Sequence, residues 1–297
     1  MKRILLASSA LCLGTGMATA QDMMSGVTVS GDGRMGVVFD DNEDARFSSR
    51  VRVKFALAAE LDGGMTAGGD IRADNASGGA SGTAGKVFLS GPFGTLAMGD
   101  VDPGAKAALG HPSAVGFTEV GSMNEITYTR GSAEGEEPAL LYTLPKMGPV
   151  QAYASVGQED AEVSFDTFSV GAKADLSVGD MGTAWIGAGF EGATGGGDEH
   201  VLVGVGASVS GFTGKLVAGT QDDADQFGLS AGYSAGVIGA TVFYTDDTEM
   251  EGKEALGVGL SWSLGGGASI VGGVATDIGQ GENEDVRHAD LGVTFSF

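Results

Sequence analysis

One cysteine in 297 residues leaves no disulfide to build on. It is Cys12, and it falls in a segment expected to be removed on export. Lys2 and Arg3 precede a short apolar run from Ile4 to Leu13, and Ala18-Thr19-Ala20 is an A-x-A cleavage pattern. The three parts predict a signal peptide over residues 1–20 and a mature chain of residues 21–297 without a thiol. The bulky Leu11 before Cys12 argues against lipoprotein processing. Such an exported chain relies on hydrogen bonds and packing alone. Cations are scarce too: without Lys2 and Arg3, 14 Lys and Arg face 39 Asp and Glu, a net charge of −25. Nucleic acid is excluded as a partner, because binding it needs a basic footprint. No apolar run reaches 18 residues, so no transmembrane helix is expected. The three histidines, His111, His200 and His288, have no metal-ligand spacing, and G-x-S-x-G is absent. No catalytic residue and no required cofactor is expected, and the chain does not read as an enzyme.

What the chain has in quantity is glycine, 54 residues, with no three-residue period. Each would cost about 1 kcal/mol in a helix interior, which leaves an all-β fold. Sixteen alternating segments follow one another, centred near 29–37, 50–58, 67–73, 86–90, 95–99, 140–144, 150–156, 168–176, 183–190, 201–209, 215–220, 227–233, 238–244, 256–264, 269–276 and 289–297. In "HVLVGVGASVS" every second residue from Val201 to Val209 is apolar, and the opposite face carries Gly and Ser. Connections alternate between very short ones (91–94, 235–237, 265–267) and longer acidic ones (40–45, 157–163, 191–199, 246–252, 279–286). That rhythm predicts an up-and-down barrel with short turns at one rim and long loops at the other.

Three features sharpen the reading. In "RVRVKFALAAE" Arg50, Arg52 and Lys54 alternate with Val51, Val53 and Phe55, so one strand face is cationic and the other apolar. At the midplane of a lipid face each cation would cost about 2–4 kcal/mol, so only a wet interior suits them. One connection, from about Asp100 to Pro138, is far longer than the rest and is expected to be functional: a surface excursion, a lid, or a loop folded into the lumen. It carries Asp102, Glu119, Glu125, Glu134, Glu136 and Glu137. Finally, "ADLGVTFSF" ends the chain on a strand, with Phe295 and Phe297 on its apolar face. A barrel must pair its last strand with its first, because an open edge cannot face lipid. A terminal Phe on such a strand resembles the sorting signal read by the barrel assembly machinery.

The segments "SGDGRMGVVFD" (30–40), "FSSRVRV" (47–53), "VFLSGPFGTLAMGD" (87–100), "PALLYT" (138–143), "LGGGASIVGG" (264–273) and "ADLGVTFSF" (289–297) resemble the general-diffusion porins of the Rhodobacter type. The resemblance implies a 16-stranded antiparallel transmembrane β-barrel in the outer membrane, with a long loop folded into the lumen. It implies a homotrimer that lets small polar solutes and ions diffuse passively. It places Arg34, Arg50, Arg52 and Lys54 on the basic wall of a constriction. It places Glu119, Glu125 and, at the foot of the loop, Asp102 on the acidic side.

Other readings predict other things. An adhesin or receptor barrel would carry large outer loops and an incidental pore; a soluble secreted β protein would keep its polar face in water. Acidic outer loops could bind Ca²⁺, with no ligand residues assignable. Small residues in "GGASIVGGVAT" (266–276) fit either packing between barrels or a thin lipid-facing wall.

Overall fold

A computed structural model describes residues 26–40, 45–76, 79–128, 139–158, 165–195, 199–221, 224–247, 253–278 and 286–297. The expected signal peptide lies outside the described residues, as do Glu134, Glu136, Glu137 and most of the acidic residues of the longer connections. Sixteen strands run in chain order: β1 (Gly26–Asp40), β2 (Arg46–Leu61), β3 (Met65–Ala76), β4 (Gly79–Gly91), β5 (Gly94–Gly99), β6 (Ala139–Thr143), β7 (Val150–Gly157) and β8 (Thr167–Ser177). Then come β9 (Gly182–Ala193), β10 (His200–Val209), β11 (Phe212–Gln221), β12 (Ala224–Ala235), β13 (Ile238–Asp247), β14 (Lys253–Gly265), β15 (Ala268–Asp277) and β16 (Val286–Ser296). Each pairs antiparallel with its neighbours in sequence, and β1 pairs with β16, so the sheet closes into one barrel.

Alternation decides which way each side chain points. On β14, Leu256, Val258, Leu260, Trp262 and Leu264 are all exposed, whereas Ala255 on the other face is fully buried. The inversion is sharpest on β2: the Arg50 side chain is 14% exposed while its neighbour Val51 is 47% exposed. A continuous apolar belt of this size on the outside is a surface for lipid, not for water.

The seam between first and last strands is closed by a reciprocal pair. Gly31 N donates to Phe297 O at 2.8 Å and Phe297 N donates to Gly31 O at 3.0 Å. The rings of Phe295 and Phe297 lie over Gly33 and Gly31 on β1, where any side chain would meet them. At the short-turn rim, Gly265, Gly266 and Gly267 all have positive φ (81°, 61° and 83°), a run that only glycine adopts cheaply.

One expectation is corrected. The 191–199 segment was expected to be a loop, but β9 continues to Ala193 and buries Glu191 in the wall. The long connection contains the helix α1 (Gly104–Leu109) and a 3₁₀ turn at Glu119–Ser122. It is also where the core sits. Ala105, Ala108, Leu109 and Ile126 of the loop are buried against Leu202, Val217, Tyr153 and Leu141 of the wall. Val115, Val120 and Met123 form a second cluster with Phe243, Ala255 and Ala275.

Candidate functional site

The loop can be followed strand by strand. Gly104 N donates to Ser155 Oγ on β7 (2.9 Å) and Ala105 N to Ser169 Oγ on β8 (2.8 Å). Lys215 Nζ on β11 donates to His111 O (2.6 Å), and Ser113 N to Ser230 Oγ on β12 (2.9 Å). The tip reaches β16, where the Asp290 carboxylate accepts from Phe117 N (3.1 Å), Thr118 N (2.7 Å) and Thr118 Oγ1 (2.6 Å). It also accepts from Gly273 N on β15 (3.0 Å). The chain then reverses. Thr245 Oγ1 on β13 donates to Met123 O (2.8 Å), and Gln226 on β12 holds Thr127. Every wall partner lies on the face opposite the exposed apolar residues: Ser169 beside Val170, Ser230 beside Leu229, Asp290 beside Leu291. The loop therefore lies inside the barrel, with an outward pass from β7 to β16 and a return pass to β12.

This path explains the glycines. A Cβ on Gly189 would come within 2.5 Å of Ala105 Cβ, one on Gly259 within 2.7 Å of Val115 Cβ, and one on Gly273 within 2.5 Å of Gly116 N. The inner wall is stripped of side chains where the loop lies on it. Gly116 itself has φ +80° and faces the Asp290 carboxylate so closely that no side chain fits. Replacing Gly273 by leucine is expected to lift the tip at a cost of about 1–3 kcal/mol. Conductance would change without any change in pore charge; the largest neutral polymer able to enter the channel measures the effect.

The reversal is strained. Glu119, Val120 and Ser122 have φ of 65°, 41° and 59°, a region that a β-branched residue rarely adopts. The turn is held there by Val120, which is buried, and by the Asp290 contacts just before it. Tyr128, on the return pass, donates to Gly110 O at 2.9 Å. Burial, reinforced by the charges of Glu191 and Asp102, pushes its phenol well above the usual range, so it remains a donor.

Opposite the loop, β1–β4 present an inner wall with a charge pattern. Arg34 sits directly across from Arg50, and Lys54 across from Arg72, which alone would be unfavourable. Carboxylates on the same strands answer them. Arg50 Nη2 lies 3.3 Å from Asp32 Oδ1, Arg52 Nε 2.8 Å from Asp74 Oδ2, Arg72 Nε 3.1 Å from Asp74 Oδ1, and Lys54 Nζ 3.3 Å from Asp70 Oδ2. Lys86 on β4 lies directly across from Asp70. Six cations and three carboxylates leave this patch at +3. It meets the loop at one point: Arg34 Nη1 donates to Phe117 O at 3.1 Å.

The candidate residues thus fall as follows. Arg34, Arg50, Arg52 and Lys54 share the lumen face, and Glu119 is near enough to Arg34 for its charge to act on the guanidinium. Glu125 is exposed at the start of the return pass. Asp102 is engaged within the loop, 3.2 Å from Lys106. The sequence reading missed Arg72, Lys86 and their carboxylate partners. "GGDIRADNA" carries the same alternation as β2, which would have found them. It also missed Asp290 as the anchor of the tip. Among the described residues no group of three or more His, Cys, Asp or Glu is placed to hold a metal ion.

Comparison with known proteins agrees with this architecture. The family model for Gram-negative porins matches residues 7–297. A porin of Rhodobacter capsulatus is 33% identical over 313 residues, covering 91% of this chain and 100% of that one. A porin structure refined at 1.8 Å superposes with a TM-score of 0.73 at 27% identity, covering 92% of this chain and all of that one. A mutant of Rh. blastica porin gives 0.70 at 22% identity, covering 91% and 100%. Nothing among these relatives favours a receptor barrel. These proteins share its fold over nine-tenths of its length, and the chain belongs to the Gram-negative porin family, whose members are outer-membrane channels for passive diffusion of small hydrophilic solutes and ions.

Proposed function

We propose that the channel is narrowest between the strained turn at Glu119–Ser122 and the patch formed by Arg34, Arg50, Arg52, Lys54 and Arg72. The observation that carries this reading is the Arg34–Phe117 hydrogen bond, which brings wall and loop tip together. Cations on one side and Glu119, Glu125 and Asp102 on the other set up a field across the gap. Such a field orients polar solutes and hinders apolar ones. The whole molecule is strongly acidic, but ions pass the local patch, at +3. Selectivity is accordingly expected to be weak, not the strong cation preference that a net charge of −25 implies.

The test is a planar lipid bilayer with a salt gradient across it. Stepwise, long-lived conductance increments and a small reversal potential are expected. A large cation-selective potential would sink the proposed role of the basic patch, and correctly inserted protein without channels would sink the open pore.

We further read the chain as a homotrimer assembled by the barrel machinery through Phe295 and Phe297, and as a channel with no enzymatic step. Removing Phe297 is the check on the assembly signal. Ca²⁺ binding by the acidic outer loops is a separate proposal, tested by whether a chelator lowers the temperature at which the purified oligomer dissociates.

A further inference from the structure

We propose that Glu191, His200 and Gln226 are positioning residues of the constriction loop, and that the loop stays docked only while His200 Nε2 carries no proton. This rests on the loop being the constriction.

The three side chains form a buried chain beneath the loop. Glu191 on β9 and His200 on β10 are directly opposite one another and have no exposed surface. Gly219 on β11 lets the imidazole reach past its strand, since a Cβ there would lie 2.7 Å from Nε2. On the far side His200 Nε2 is 2.6 Å from Gln226 Nε2 on β12.

The direction of every hydrogen bond follows from Thr127. Its backbone N–H donates to Gln226 Oε1 (2.7 Å), and its backbone oxygen accepts from Gln226 Nε2 (2.8 Å). That two-pronged grip fixes which end of the amide is which. The second hydrogen of Gln226 Nε2 then points at His200 Nε2, which must accept it. His200 is therefore protonated at Nδ1, which lies 3.3 Å from Glu191 Oε2. Glu191 Oε1 accepts from Ser169 Oγ (2.8 Å), and Ser169 Oγ accepts from Ala105 N (2.8 Å). Hydrogen bonds thus run from Ala105 to Glu191 on one side and from His200 to Thr127 on the other, and the two halves meet at the 3.3 Å contact between His200 Nδ1 and Glu191 Oε2, which is an ion-pair distance and not a hydrogen bond.

A proton on Nε2 breaks the chain at one link. Two donors would face each other between His200 and Gln226. Turning the amide over relieves that clash but sets NH₂ against the Thr127 N–H and oxygen against the Thr127 oxygen, so both prongs are lost. The other titratable groups facing this cluster are Tyr128 and Asp102 from the loop, with His111 behind the Tyr128 ring at 5.3 Å. The docked loop excludes the Nε2 proton, so docking is favoured as pH rises and lost as it falls.

The measurement is open-channel current noise of the full protein in planar bilayers at about pH 8 and about pH 5, a range that spans ordinary imidazole titration. The wild type is expected to show several-fold more frequent partial closures at the lower pH. His200→Gln, whose amide oxygen can accept from Gln226 at any pH, is expected to stay quiet at both. Gln226→Met, which has no grip on Thr127, is expected to be noisy at both, and it serves if His200→Gln fails to insert. A pH-independent wild type, a response that survives in His200→Gln, or a quiet Gln226→Met channel overturns the proposal. Absence of channels at the higher pH would instead remove the pore reading, and this inference with it.

Discussion

Asp290→Ala is expected to convert a steady channel into a flickering one with a larger mean conductance. In the native protein this buried carboxylate accepts four hydrogen bonds, three of them from backbone N–H groups of Phe117, Thr118 and Gly273. Alanine offers no acceptor, and each stranded donor costs about 1 kcal/mol or more while it stays buried. Together they amount to about 3 kcal/mol against docking of the tip, a shift of more than a hundredfold in the docked-to-free ratio. The strained φ angles of Glu119, Val120 and Ser122 act in the same direction, because a freed turn relaxes to ordinary values. The barrel itself survives, since the β16 register depends on backbone bonds. Single-channel recording gives the noise, and the strand signal in circular dichroism reports on the wall. A quiet channel of native conductance in Asp290→Ala would show that Asp290 does not hold the constriction.

Neutralising Arg50, Arg52, Lys54 and Arg72 together is expected to make the channel cation-selective. The patch changes from +3 to −1 while Glu119 and Glu125 remain on the loop. At about 4 Å in a water-like medium, each unit charge acts on a passing ion by roughly 1 kcal/mol, before screening. Four such changes exceed the 1.4 kcal/mol that corresponds to tenfold, so the cation-to-anion permeability ratio is expected to rise on the order of tenfold or more at low salt. High salt shrinks the effect. Arg52 and Arg72 are the pair to remove if only two can be changed. Both hold Asp74, and its carboxylate would then face the lumen without either of them. An unchanged reversal potential in the fourfold variant would mean that ions do not pass beside this wall.

Much of the wall was legible in the sequence because a strand declares its faces locally. Arg50, Val51 and Arg52 reveal an inside and an outside with no reference to any partner, and repetition of that signal gives sixteen strands. What was not legible depends on register and on contacts between distant parts of the chain. Asp290 was readable as a lumen-facing residue of "ADLGVTFSF", but its partners on the loop lie 172 and 173 positions away. Glu191 sits in "EGATGGGDEH", a glycine-rich acidic stretch whose composition is that of a loop. Only the loop lying over it makes it a buried residue. Asp32, Asp70 and Asp74 become partners of particular arginines only once β1, β2 and β3 are set in register.

The loop tip spans the seam. Phe117 is tied to Arg34 on the first strand and to Asp290 on the last. The tip lies across the join between the first and last strands and is tied to both of them. Contacts between chain ends carry the largest loop-closure cost and come late. The tip works as a clasp whose fit reads the register of that join: a slip of one residue would point Arg34 at lipid and take Asp290 out of reach of Thr118. The contact that narrows the channel is thus also a check on how the wall has closed.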